Sequence, residues 1–224
     1  MSQTAKNRIL DAAEKLFARN GFKATSLRAI IAEAQVNLAS VHYYYRGKEG
    51  LIRAIIERRF APINLERLRL LEQCQKESGD HPPPVERILQ AFLEPMVSVG
   101  MRKSKHSSIL MQLGGRILLE SGSEIEGVVE KQFKEVAQSF LMAFHQAMPQ
   151  LTTGEIALRM NFTIGAAAKA MFAGVSWKVL SRAFQQTGEE IEVKQFANQL
   201  VTYAAAGMKA PPAAEMNHST KITH

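Results

Sequence analysis

The chain has little cysteine and little tryptophan: one of each, Cys74 and Trp177. A single thiol excludes an intrachain disulfide and any cysteine-rich zinc cluster, and it suits a reducing cytoplasm. The six histidines, at 42, 81, 106, 145, 218 and 224, form no H-E-x-x-H pair, so no metal site is expected. Walker A and G-x-G-x-x-G runs are missing too, and no cofactor is expected. Glu189, Glu190 and Glu192 read as a charged helix start rather than an acid/base pair, which leaves no candidate catalytic residue. An enzyme would need a site assembled in space, for instance from His106 and His145. No uncharged apolar stretch reaches the length of roughly 18 residues that a membrane span requires. The first residues, Met1 to Lys6, lead into a helical pattern rather than a signal-peptide apolar run.

What is abundant is positive charge, and it is unevenly placed. Residues 1–60 carry 11 Lys and Arg against 5 Asp and Glu; the rest of the 224 residues carry 17 against 16. A basic first quarter on a neutral body points to an anionic partner, nucleic acid before an anionic membrane surface.

Strand-like alternation is absent and helical periodicity runs nearly throughout. Ile9, Ala12, Ala13, Leu16 and Phe17 form one apolar stripe over residues 5–20, stopped by Asn20-Gly21. Thr25 or Ser26 can cap a second helix carrying Leu27, Ile30 and Ala34. Asn37 can cap a third that runs to about Tyr44 before Gly47. A long amphipathic helix is expected over 48–76, then a Pro82-Pro83-Pro84 connector and a helix kinked at Pro95. Three capping boxes, Ser123 with Glu126, Thr152 with Glu155 and Thr187 with Glu190, mark later helix starts. The expected fold class is all-α: a helix-turn-helix domain over 1–50, joined through the long helix to a larger helical domain over 51–209. A tail over 210–224 is expected to be disordered.

Within residues 27–46, Ile30, Ala34, Val36, Val41 and Tyr44 are spaced so that two short helices share one small core, floored by Leu16 and Phe17. Such a pair frees the polar face of the third helix, with Asn37, Ser40, His42 and Tyr43, for the DNA major groove. The run from Thr25 to Leu51, preceded by Ile9 to Phe17 and Gly21-Phe22, resembles the TetR-family signature over about the first quarter of the chain. The resemblance implies a homodimeric, ligand-controlled repressor on double-stranded operator DNA, an inverted repeat. It also implies roles. Lys48 matches a phosphate-contacting lysine, Thr25 and Ser26 match groups facing the DNA backbone, and Tyr43 matches a backbone contact usually held by His. Asn37, Leu38, Ala39, Ser40 and His42 match the groove-facing surface. Asn37 can equally be a cap alone, and Tyr44 and Tyr45 read as core. Gln35 stands where the family usually has Gly, and Ile31 where a small residue is common.

The body is less explicit. Two helices, about 153–184 and 190–207, are the dimerisation candidates, with Gly165, Ala166, Lys169, Ala170, Ala173 and Trp177 at the interface; the alternative is that the small residues pack within one subunit. Phe92, Met96, Ile109, Met111, Leu113, Phe133 and Phe140 are candidate linings of a pocket for a small apolar ligand, with ordinary core as the alternative. Gly114-Gly115 reads either as a close approach or, more simply, as a helix interruption. Val36 to Ala39, Val41, Tyr43 and Gly165 to Ala168 are similar to fatty-acid-responsive members of the PsrA type, which implies a long-chain acyl ligand. The rival functions are a DNA binder without a small-molecule switch, a membrane-surface adaptor and an enzyme.

Overall fold

A computed structural model of the chain describes residues 4–100, 102, 104–120, 123–172 and 193–212. Nine α-helices and no strand occur among the described residues: α1 (Ala5–Asn20), α2 (Leu27–Ala34), α3 (Leu38–Tyr45), α4 (Lys48–Ser78), α5 (Val85–Gly100), α6 (Lys105–Leu119), α7 (Ser123–Ala147), α8 (Thr153–Phe172) and α9 (Val193–Met208).

The helix ends follow local chemistry. Thr4, Ser26, Asn37 and Ser104 cap α1, α2, α3 and α6 by accepting an amide hydrogen bond from the third residue on. At α8, Thr152 and Glu155 form the reciprocal box: the Thr152 amide donates to Glu155 Oε2 (2.9 Å) and the Glu155 amide to Thr152 Oγ1 (3.2 Å). The box expected at Thr187 lies outside the described residues, as do residues 213–224 of the expected tail. Ala210 and Pro211, which open that tail, are held by their carbonyls on the Arg159 guanidinium (2.5 and 2.8 Å). Gly114 and Gly115 do not interrupt α6, which continues to Leu119 with Leu110, Leu113 and Gly114 buried; packing of that face outweighs the roughly 1 kcal/mol that each glycine costs a helix. Pro95 likewise lies inside α5.

Helix α4 is the spine. Its 31 residues extend roughly 46 Å at 1.5 Å per residue. Leu51, Ile52, Ile55, Ile56, Phe60 and Ile63 in its first half join a core with α1, α2 and α3. That core also takes in Leu110 and Leu113 of α6 and Ile125 and Val128 of α7. Further along, Leu71 joins a second core built from α5, α7, α8 and α9 around Ile88, Phe140, Phe144 and Ile156. The N-terminal head therefore does not stop packing at residue 50. Glu14 of α1, buried, pairs with Arg58 and Arg59 of α4, and Asp11 pairs with Arg58 at 2.7 Å, fixing the head to the spine.

Candidate nucleic-acid interface and effector cavity

The helix-turn-helix is built by its turn. Gln35 adopts the left-handed conformation (φ 51°, ψ 54°) at the end of α2, and the Gln35 and Val36 amides return to the carbonyls of Ala32 and Ile31. Glycine would take this conformation without the roughly 1 kcal/mol side-chain penalty. Two residues on, Asn37 Oδ1 accepts from both the amide and the hydroxyl of Ser40, each at 2.8 Å, which starts α3.

Val41 and Tyr45 turn α3 inward, one turn apart on the same face. The expectation of Tyr44 in the core is corrected: Tyr44 is 40% exposed and packs edge-on against Tyr43, centroids 4.9 Å apart. Tyr45, also expected in the core, is buried and its hydroxyl donates to the Lys6 carbonyl (2.9 Å), because i+4 from Val41 lies closer to its face than i+3. Burial, with a smaller contribution from Asp11, pushes the Tyr45 phenol up to about 12.

The outward face of α3 carries Leu38, Ala39, His42 and Tyr43, all exposed, with Ser40 half-buried beside its cap. Ser26 is exposed at the start of α2. Thr25 departs from its expected role. It is 1% exposed, and its hydroxyl donates to the Gly21 carbonyl (2.7 Å) and reaches the Leu16 carbonyl (3.3 Å), closing the α1–α2 loop from inside. Lys48, half-buried, lies with Nζ 3.5 Å from the Lys23 carbonyl in the same loop. Gly50 was not anticipated as a structural position. A Cβ there would collide with the Tyr45 carbonyl, so glycine lets α4 approach the end of α3.

A cavity of about 330 Å³ lies among α4, α5, α6, α7 and α8. Phe92, Met96 and Phe133 line it as expected, joined by Phe60, Gly114, Leu118 and Met171, among others. Four expected linings lie elsewhere. Phe140 is fully buried behind Phe92, edge to face at 5.0 Å; Leu113 faces the head core, about 100° around α6 from Gly114. Ile109 lines a polar cleft beside Lys15, Glu33 and His106, and Met111 packs its methyl near Gly100. His145 is exposed near the end of α7. Among the described residues no cluster of His, Cys, Asp or Glu could hold a metal ion.

One helix touches both sites. Beyond the cavity-lining Ile117 and Leu118, α6 is capped by Glu120, whose Oε2 accepts from the amides of Phe22 (2.9 Å) and Lys23 (3.1 Å). Arg116 donates to the Arg19 carbonyl (3.0 Å). Gly21, at φ 90°, leaves room where any Cβ would strike the Glu120 carboxylate.

On α8, Gly165 and Lys169 are exposed and Ala166 is half-buried; nothing lies within 4 Å of a Cβ built on Gly165. The Ala170 side chain, Ala173 and Trp177 lie outside the described residues. Leu158 and Phe162 of α8 and Tyr203 of α9 are 53%, 63% and 71% exposed, a set that the small-residue pattern did not reveal. Among the described residues no helix is long and apolar enough to cross a membrane.

A basic helix-turn-helix head on an α-helical body with an internal cavity is the architecture of a DNA-binding regulator. Residues 9–55 match the family of bacterial regulatory proteins of the tetR type, and residues 90–207, more than half the chain, match the tetracyclin repressor-like C-terminal domain. The chain belongs to the TetR family of transcriptional regulators, which bind operator DNA as homodimers. It is similar to SrpR, an HTH-type transcriptional regulator of Pseudomonas putida, at 24% identity over 83% of this chain and 79% of SrpR. Its likeness to YttP, a probable regulator of Bacillus subtilis, is 39% identity over 25% of this chain and 27% of YttP. The solved complex of SmeT with triclosan shares the fold: TM-score 0.62, 16% identity, 93% of this chain and 96% of that one.

Proposed function

We propose that the chain is a ligand-released repressor: a homodimer holds an inverted-repeat operator through two heads, and a small apolar molecule in the cavity releases it. The observation that carries this reading is α6, which lines the cavity at Gly114, Ile117 and Leu118, holds the last turn of α1 through Arg116 and grips the α1–α2 loop through Glu120. An effector that repositions α6 would move the loop beside Lys48 and hence the spacing of the two heads. A coupling of about 1–3 kcal/mol would change operator affinity by roughly 5–150-fold.

In this reading α3 enters the major groove, with Leu38, Ala39, Ser40 and His42 reading base edges. Ser26, Tyr43 and Lys48 hold phosphates, Asn37 serves chiefly as the α3 cap, and Thr25 acts from inside the loop. The exposed apolar face of α8 and α9, with Leu158, Phe162, Gly165 and Tyr203, joins the two copies. Residues 1–50 supply DNA contact and 51–209 the switch, and the protein acts in the cytoplasm. Support for the ligand comes from the apolar cavity and from SmeT, a relative in fold solved with triclosan. A long-chain acyl compound, as in the PsrA type, is one apolar candidate.

Run-off transcription from a promoter overlapping the bound site tests the repressor reading. The protein is expected to suppress the transcript, and a Lys48→Ala protein to do so less well. A transcript raised or untouched by the bound protein would contradict repression.

A further inference from the structure

Two polar side chains, Asn161 and Arg67, stand among the described linings of an otherwise apolar cavity. Arg67 reaches it from α4 and is the sole charged side chain among its described linings. The residue is 6% exposed. Nε donates to the Phe92 carbonyl (2.8 Å), Nη1 to Asn64 Oδ1 (3.1 Å), and the guanidinium lies 4.4 Å from the Phe92 ring centroid. Among the described residues no carboxylate pairs with it, unlike Arg58, Arg59 and Arg69 on the same helix. Burial alone pulls its pKa down to about 10, so it remains charged at neutral pH.

Part of this arrangement serves the wall. Pro95 has no N–H and its ring crowds the carbonyls of the preceding turn of α5. Arg67 Nε supplies a donor to the Phe92 carbonyl in that turn. That bond and the one to Asn64 occupy Nε and Nη1 and leave Nη2 with no hydrogen-bond acceptor among the described residues. A buried cation without a counter-ion is costly, and the ring face offsets only part of that cost. A ligand that brought one negative charge would offset the remainder; a second would itself lack a partner, because Arg67 is the sole cation among the described linings.

Building on the reading of the cavity as the effector site, we propose that its ligand is an amphiphile with a monoanionic headgroup. The oxyanion sits on Arg67 Nη2, and the apolar body lies against Phe60, Met96, Ile117, Phe133 and Met171.

Calorimetric titration of the full chain with decanoate, decanol, decylamine and decyl phosphate at pH 8 tests this. Decanoate is expected to bind about tenfold or more tighter than decanol, since the two share one chain length and the carboxylate accepts a charge-assisted hydrogen bond from Arg67 where the alcohol makes a neutral one. Decylamine should bind more weakly than decanol, and dianionic decyl phosphate more weakly than decanoate. In Arg67→Gln the advantage of decanoate over decanol should vanish while decanol binding is retained, a control that the cavity is still formed. Should that variant fail to fold, the wild-type series decides alone. Equal binding of decanol and decanoate, a preference for the phosphate, or an advantage of decanoate that survives in Arg67→Gln overturns the proposal and leaves the apolar-effector reading standing. Binding of none of the four overturns both.

Discussion

At position 35 the turn of the helix-turn-helix has a side chain in a backbone conformation that favours glycine. Gln35→Gly should remove roughly 1 kcal/mol of strain, partly offset by the greater freedom of glycine in the unfolded chain. The expected result is a melting temperature raised by about 1–3 °C with operator affinity unchanged, read by calorimetry and a DNA titration. Tyr45 makes a second residue-scale prediction. Its phenol is raised to about 12 in the fold from an ordinary value near 10. The folded state thus favours the protonated form, and the associated stability is present below pH 10 and lost as pH rises towards 12. Tyr45→Phe should be less stable at neutral pH by about 1 kcal/mol for the lost bond to the Lys6 carbonyl. That deficit should shrink above pH 10 in thermal melts; a constant deficit would contradict the burial argument.

Elements were legible in proportion to how local their signals are. The stripe ending at Asn20-Gly21 placed α1 at its observed limits, and the cap at Asn37 placed the start of α3. Tyr44 and Tyr45 were harder, because i+3 and i+4 from Val41 both lie near its face; the register favours Tyr45, and its bond to the Lys6 carbonyl fixes it. Cavity linings were less legible still. Leu113 and Gly114 are neighbours in sequence, yet they face different cores, and nothing local says which face of α6 meets which helix. Arg67 and Glu120 were missed because their partners are distant in sequence: the Phe92 carbonyl, and the Phe22 and Lys23 amides 98 and 97 residues away. Glu120→Ala should leave those two amides without their acceptor. Hydrogen exchange at Phe22 and Lys23 should accelerate while the interior of α4 keeps its protection; unchanged exchange would show that the loop does not depend on α6.

For the molecule as a whole, the face bearing Leu158, Phe162 and Tyr203 is costly for a solitary subunit to expose to water, and the family binds DNA as a dimer. Phe162→Asp should give monomers in sedimentation and weaken operator binding at least tenfold, because each head then binds without the other. A dimer unaffected by that change would place the interface elsewhere. Lys48 bears on the other end of the assembly: Lys48→Ala should weaken binding to all DNA sequences and reduce the slope of log affinity against log salt by about one per head. Both predictions presuppose that two basic heads read one symmetric site. Selection of bound fragments from a random DNA pool at near-physiological salt tests that directly. An inverted repeat should be enriched, and its half-site should change when Ser40 or His42 is replaced. Retention of DNA without an enriched motif would contradict sequence-specific reading by α3.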